Sequence, residues 1–118
     1  MGDFKADNIL VQKSTENWEL SGIFDFTNGY FGDGIADLPK IVTMYQADGE
    51  DRLARHFISE YFNRIENKEA FKERFKVHML HQRILDWGCA KAIGHVTWDD
   101  HLSFSEWAEM STEFITWL

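Results

Sequence analysis

Gly29, Gly32 and Gly34, set among Asn28, Tyr30, Phe31 and Asp33, divide this chain into two parts that follow different periodicities. Glycine at that density permits backbone angles closed to other residues and marks a shaped loop rather than a strand or a helix. Before the loop, apolar residues come in short extended runs. Asn8-Ile9-Leu10-Val11-Gln12 reads as a strand, Lys13 to Asn17 as a polar turn, and Trp18-Glu19-Leu20 leading into Ile23-Phe24-Asp25-Phe26 as the returning strand, which together predict a β-hairpin. After the loop the pattern is helical to the end. The expected fold class is therefore α+β: a small hairpin layer followed by a bundle of about four helices, in one domain over residues 1–118.

A helix from about Asp37 to Gln46 accommodates Pro39 in its first turn, where no amide donor is needed, and Gly49 separates it from the next. There Leu53, Phe57, Ile58, Tyr61, Phe62 and Ile65 recur at helical spacing. From about Lys68 to Ile93, one stripe carries Phe71, Phe75, Met79, Leu85 and Cys89 and a second carries Leu80, Ile84 and Trp87. Two apolar faces predict a helix lying centrally in the bundle, with Cys89 a buried, inert thiol. Ser103 and Glu106 have the spacing of a capping box, so the last helix is expected to start there and to bury Phe104, Trp107, Ala108, Ser111, Ile115 and Leu118.

Charge narrows the partners. A formal net charge of -8 argues against a nucleic-acid partner, because gripping a phosphate backbone requires basic surface, and it suits cationic small molecules better. The single cysteine excludes an intramolecular disulfide, and no stretch is long and apolar enough for a membrane span, so a protein of the reducing cytoplasm without a membrane partner is expected.

Asp3 and Asn8 stand five residues apart just before the first strand, and Asp25 falls at the end of the second, so the hairpin brings the three together. Taken singly, Asp and Asn at strand ends are commonly turn formers. Jointly they make the set that phosphoryl transfer needs: a carboxylate to orient and deprotonate a hydroxyl, with an amide oxygen and a second carboxylate to hold magnesium against phosphates. The motifs Gly2-Asp3, Asn8-Ile9-Leu10, Ile23-Phe24-Asp25-Phe26, Gly32-Asp33 and Ala36-Asp37-Leu38, in this order and spacing, resemble those of the aminoglycoside phosphotransferases and related kinase-like enzymes.

The resemblance implies the C-terminal lobe of a protein-kinase-like fold, with Asp3 as catalytic base and Asn8 and Asp25 as ligands of Mg2+ bound with ATP. Asp37 would hold the backbone of the catalytic loop, and Asp33 would either cap a turn or face substrate. The implied acceptor is a cationic, hydroxyl-bearing small molecule such as an aminoglycoside, and the helical tail looks most similar to the hygromycin-type branch. Met1 stands where the family has histidine, and its ammonium is expected beside Asp3. The family's nucleotide-binding lobe has no counterpart among these motifs, so the chain alone is expected to show negligible kinase activity.

Other polar and aromatic residues carry weaker signals. His78 and His81 share a helix face but lack a carboxylate or cysteine at a metal-site spacing. Trp87, Trp107 and Trp117 are expected in the core, whereas Trp98, with Asp99 and Asp100, lies in an interhelical loop and is a candidate for facing substrate. An apolar surface around the hairpin and Phe4, Phe24 and Phe26 predicts a homo-oligomer formed through that face.

Overall fold

The hairpin closes on a hydrogen-bonded turn in which Ser14 N–H and Oγ–H both donate to Asn17 O, at 2.8 and 3.0 Å. In this computed structural model, which describes residues 1–118, strand β1 (Ile9–Lys13) pairs antiparallel with β2 (Trp18–Ile23), from Lys13 opposite Trp18 down to Ile9 opposite Ile23. A register shift between Leu10 and Val11 bulges the second strand at Ser21 and Gly22. The regular strand ends at Ile23, so Phe24 to Phe26, expected as strand, lie beyond it. The strands face one another and little else. Leu10, Val11, Trp18 and Leu20 are each more than half exposed, and the Cα radius of gyration, 15.3 Å, exceeds the roughly 13.5 Å of a compact chain of this length.

Four helices follow: α1 (Leu38–Ala47), α2 (Asp51–Arg64), α3 (Phe71–Ile93) and α4 (Phe104–Thr112). Pro39 occupies the first turn of α1. Gly94 ends α3 in left-handed backbone, the usual glycine stop of a helix, and Ala70, just before the helix, is left-handed as well. Asp33 caps the 3-10 turn Gly34–Asp37 by accepting from Ile35 N–H at 3.1 Å, and that turn runs directly into α1. The α+β architecture, with a two-stranded hairpin and four helices, matches the reading of the sequence.

The core is one cluster that joins the loop to helices α1, α2 and α3 and to the C-terminal turn: Ile35, Leu38, Val42, Ala54, Ile58, Phe71, Phe75, Met79, Phe114 and Ile115. Phe71 anchors the junction of α2 and α3, edge-on to Phe62 at 5.0 Å between ring centres. The long helix departs from expectation. It buries only Phe71, Phe75 and Met79, all in its first half, while Leu80, Ile84 and Leu85 are 43 to 52% exposed and Cys89 is exposed rather than buried. Periodicity reported two apolar faces correctly, but a helix 23 residues long outruns the short helices available to cover it.

Helix α4 buries Trp107, Ala108 and Ser111, and Ile115 follows them into the core. Among the helical tryptophans only Trp107 is buried, and Trp117 is exposed, contrary to its expected place in the core. The capping box is formed in full: Ser103 N–H donates to Glu106 Oε2 at 2.8 Å, and Glu106 N–H donates to Ser103 Oγ at 3.3 Å. Two amide donors that would otherwise be orphaned are satisfied. Replacing Ser103 with Ala is expected to lower stability by about 1 kcal/mol, read as a reduced urea midpoint at an unchanged slope.

Candidate active site

The base of the hairpin assembles the polar residues. Phe24 N–H donates to Asn8 O at 3.1 Å, which sets Asn8 beside the segment leading to Asp25. At Asp25 the chain leaves extended backbone with φ of 63°, a left-handed conformation that aspartate tolerates better than most residues. Its Oδ1 accepts from Thr27 Oγ1 at 2.8 Å, and Oδ2 has no partner in the fold.

Asn8 is buried, at 5% exposure, and its Nδ2 donates to Asp3 O at 2.9 Å and, more weakly, to Asp3 Oδ2 at 3.4 Å. The amide oxygen of Asn8 is thereby left to accept or to coordinate. Lys5 Nζ stands 3.1 Å from Asp3 Oδ2, and this hydrogen bond, with the negative charge behind it, raises the Lys5 pKa. Asn8 thus ties the loop from Asp3 to the strand, and Lys5 adds a cation at the same carboxylate.

Asp37 reaches the start of the same loop from the head of α1. Its Oδ1 accepts from Gly2 N–H at 2.7 Å and its Oδ2 from the Met1 ammonium at 2.9 Å. The ammonium was expected beside Asp3, and the backbone at Gly2 explains the difference. Gly2 has φ of 85°, and a Cβ there would lie 2.2 Å from Asn28 O, so only glycine lets the chain turn against the 26–29 turn toward Asp37. Phe4, expected on the exposed apolar face, instead packs on Phe57 of α2, with 6.0 Å between ring centres.

Asp33 does more than cap a turn. Besides accepting from Ile35, its carboxylate is held by Arg74 Nη1 at 3.1 and 3.2 Å and lies 3.4 Å from His78 Nε2, both on α3. His78 is therefore committed to a carboxylate, and no group of three or more His, Cys, Asp or Glu residues is placed to hold a metal. The loop candidates have local partners: Asp99 accepts from His101 N–H at 3.0 Å, Asp100 pairs with Lys91, and Trp98 stacks between Trp87 and Trp107. None of these hydrogen bonds reaches Asp3, Asn8 or Asp25.

The donors at the hairpin base suit magnesium chemically. The Asn8 amide oxygen and Asp25 Oδ2 are hard oxygen ligands without partners in the fold, and Mg2+ takes a few such ligands while completing its shell with water and phosphate oxygens. Sequence reading passed over Lys5, whose place two residues after Asp3 was a usable signal, and Arg74, which meets Asp33 across 41 residues and gave none.

A family model described as the phosphotransferase enzyme family matches residues 2–73, a span that includes Asp3, Asn8, Asp25, Asp33 and Asp37. No curated protein and no solved structure matches the chain.

Burial alone would push the Asp33 carboxyl up, but the Ile35 amide, the Arg74 guanidinium and His78 together outweigh it and hold the group below the usual carboxylate range. A depressed carboxylate stabilises the fold above its unfolded pKa, and that contribution is lost as pH falls through the folded value. Asp33→Asn is expected to cost about 1 kcal/mol at neutral pH. In urea titrations at stepped pH, its deficit against wild type should close below about pH 4.

Proposed function

The chain belongs to the phosphotransferase enzyme family, and on that premise we propose that it supplies the catalytic-loop and substrate lobe of an ATP-dependent, kinase-like enzyme. That lobe is the C-terminal one of the protein-kinase-like fold. The acceptor is a hydroxyl of a cationic small molecule of the aminoglycoside type, and the helical tail favours the hygromycin-like branch. The observation that carries this reading is the convergence of Asp3, Asn8 and Asp25 at the base of one hairpin, through the hydrogen bonds of Asn8 to Asp3 and of Phe24 to Asn8.

Asp3 would orient the acceptor hydroxyl and take up its proton as the acceptor oxygen bonds to the γ-phosphorus of ATP and the bond from that phosphorus to the departing ADP breaks. Lys5 holds a positive charge beside Asp3 Oδ2, where negative charge gathers on a phosphoryl group approaching the same hydroxyl. Asn8 and Asp25 would hold Mg2+, Asn8 by its amide oxygen and Asp25 by Oδ2; bound with ATP, the ion supplies charge neutralisation at the phosphates. Asp37 fixes the beginning of the loop through Gly2 N–H, which matters because small displacements of a base are costly to rate. An acidic chain with a net charge of -8 also favours a cationic acceptor over an anionic one.

Two protein oxygens alone make a weak magnesium site, so the chain by itself is expected to stay at background in a coupled assay of ATP turnover. Joined to a nucleotide-binding lobe of the same family, it should transfer phosphate to an aminoglycoside. Asp3→Ala is then expected to cut kcat by at least about 100-fold, and Asp25→Ala to weaken the response to magnesium as well. Transfer that survives Asp3→Ala undiminished would remove the base from the scheme.

The hairpin's outer surface favours a second reading, a non-catalytic module that self-associates. Leu10, Val11, Trp18, Leu20 and Phe26 are 55 to 67% exposed on neighbouring turns of chain. Under this reading light scattering finds a dimer or larger assembly, and Trp18→Lys with Leu20→Lys returns it to monomer. A wild-type monomer at high concentration would discard it.

A further inference from the structure

Helix α3 carries a second apolar stripe on the side turned away from the core. Phe75 and Met79 are buried, and Val77 lies two residues from each, about half a turn of helix, which sets it on the opposite side. Leu80 and Ile84 follow Val77 at spacings of three and four, so the three side chains share one face, and they are 43 to 67% exposed.

A groove of about 550 Å³ runs between this stripe and α4. Its apolar lining is Val77, Leu80, Phe104 and Ala108. Phe104 meets Trp87 edge-on, with 5.6 Å between ring centres, yet is only half-buried. With Val77 and Leu80 this accessible, the groove is an apolar surface left for another body to cover, not an enclosed cavity.

The rim decides what that body is. It carries one cation and one anion on facing banks, Lys76 on α3 and Glu109 on α4, and neither is in an ion pair within the chain. A partner of uniform charge gains at one bank and loses at the other. The chain's net charge of -8 opposes contact between copies in general, but at this groove the two signs balance. A two-fold axis running along the groove lays α3 of each copy over α4 of the other. Lys76 of each then meets Glu109 of the other, and Val77 and Leu80 of each meet Phe104 and Ala108 of the other. A surface that complements itself in this way is what an isologous contact requires.

We propose that a second copy of this chain docks on the groove between α3 and α4, forming a two-fold dimer in which these two helices of both copies make one layered bundle. Ile84 extends the apolar seam beyond the groove along α3. This surface is separate from the hairpin face and from the residues of the phosphoryl-transfer reading, so its test is independent of both.

Light scattering of the whole chain at about 100 μM is expected to give a dimer. Leu80→Lys puts a charge in the seam and should leave a monomer, whereas Trp18→Lys with Leu20→Lys on the hairpin should leave the dimer intact. Lys76→Glu and Glu109→Lys each set like charges at both contacts and, with far-UV circular dichroism unchanged, should weaken the dimer about tenfold or more. An equimolar mixture of those two variants should associate again, because each then meets the opposite charge at both banks. A wild-type monomer at that concentration, a dimer that survives Leu80→Lys or is abolished by the hairpin substitutions, or a mixture of the charge variants that associates no better than either alone overturns the proposal.

Discussion

The ion pair between Asp33 and Arg74 joins two parts of this chain that otherwise have little to hold them together. The residues with the strongest claim to chemistry lie before Gly34, in a loop and a hairpin with almost no buried apolar surface, and the core lies after it. Asp33 closes the glycine-rich loop, caps the turn that launches α1 and reaches α3 through Arg74 and His78. Four residues later Asp37 reaches back to the backbone at Gly2. The two carboxylates therefore act at one junction in opposite directions, one gripping the helices and the other gripping the loop that holds Asp3. Each is partly exposed and worth little alone, but each acts on a segment whose alternative is a free loop.

Charge is distributed with the same economy. Acidic residues crowd the hairpin base and the loops beside it, where Lys5 meets Asp3 and Arg74 meets Asp33. Arg83 and Lys40 instead line a groove between α1, α3 and α4. A net charge of -8 thus conceals a wall on which Lys40 and Arg83 outnumber Asp86, so composition alone does not describe every surface of the chain.

The switch from extended to helical periodicity at the glycine-rich loop was legible because each element carries its own local signal: alternation, turn residues, the Ser103–Glu106 box. The convergence of Asp3, Asn8 and Asp25 was legible too, since a hairpin is the shortest device that brings distant residues together. What could not be read was burial. The apolar stripes of α3 are real, yet nothing local to Leu80, Ile84 or Cys89 states whether a neighbour covers them. Long-range pairs were equally silent. Arg74 carries no local signal of its pairing with Asp33, and the Met1 ammonium goes to Asp37 because of a backbone turn at Gly2 that sequence spacing does not reveal.

The hairpin poses the last physical question. A two-stranded ribbon is marginal by itself in water, and this one packs only marginally on the helices while exposing Trp18, Leu20 and Leu10. Yet its pairing sets the separation of Asn8 from Asp25, through Ile9 opposite Ile23 and Phe24 N–H on Asn8 O. A partner that covered its apolar face would also stiffen the frame on which Asn8 and Asp25 stand. Hairpin pairing and site geometry are then one equilibrium: contacts that favour the closed hairpin hold Asn8 beside the segment that carries Asp25, and fraying of the ribbon draws them apart before any residue of the core is disturbed.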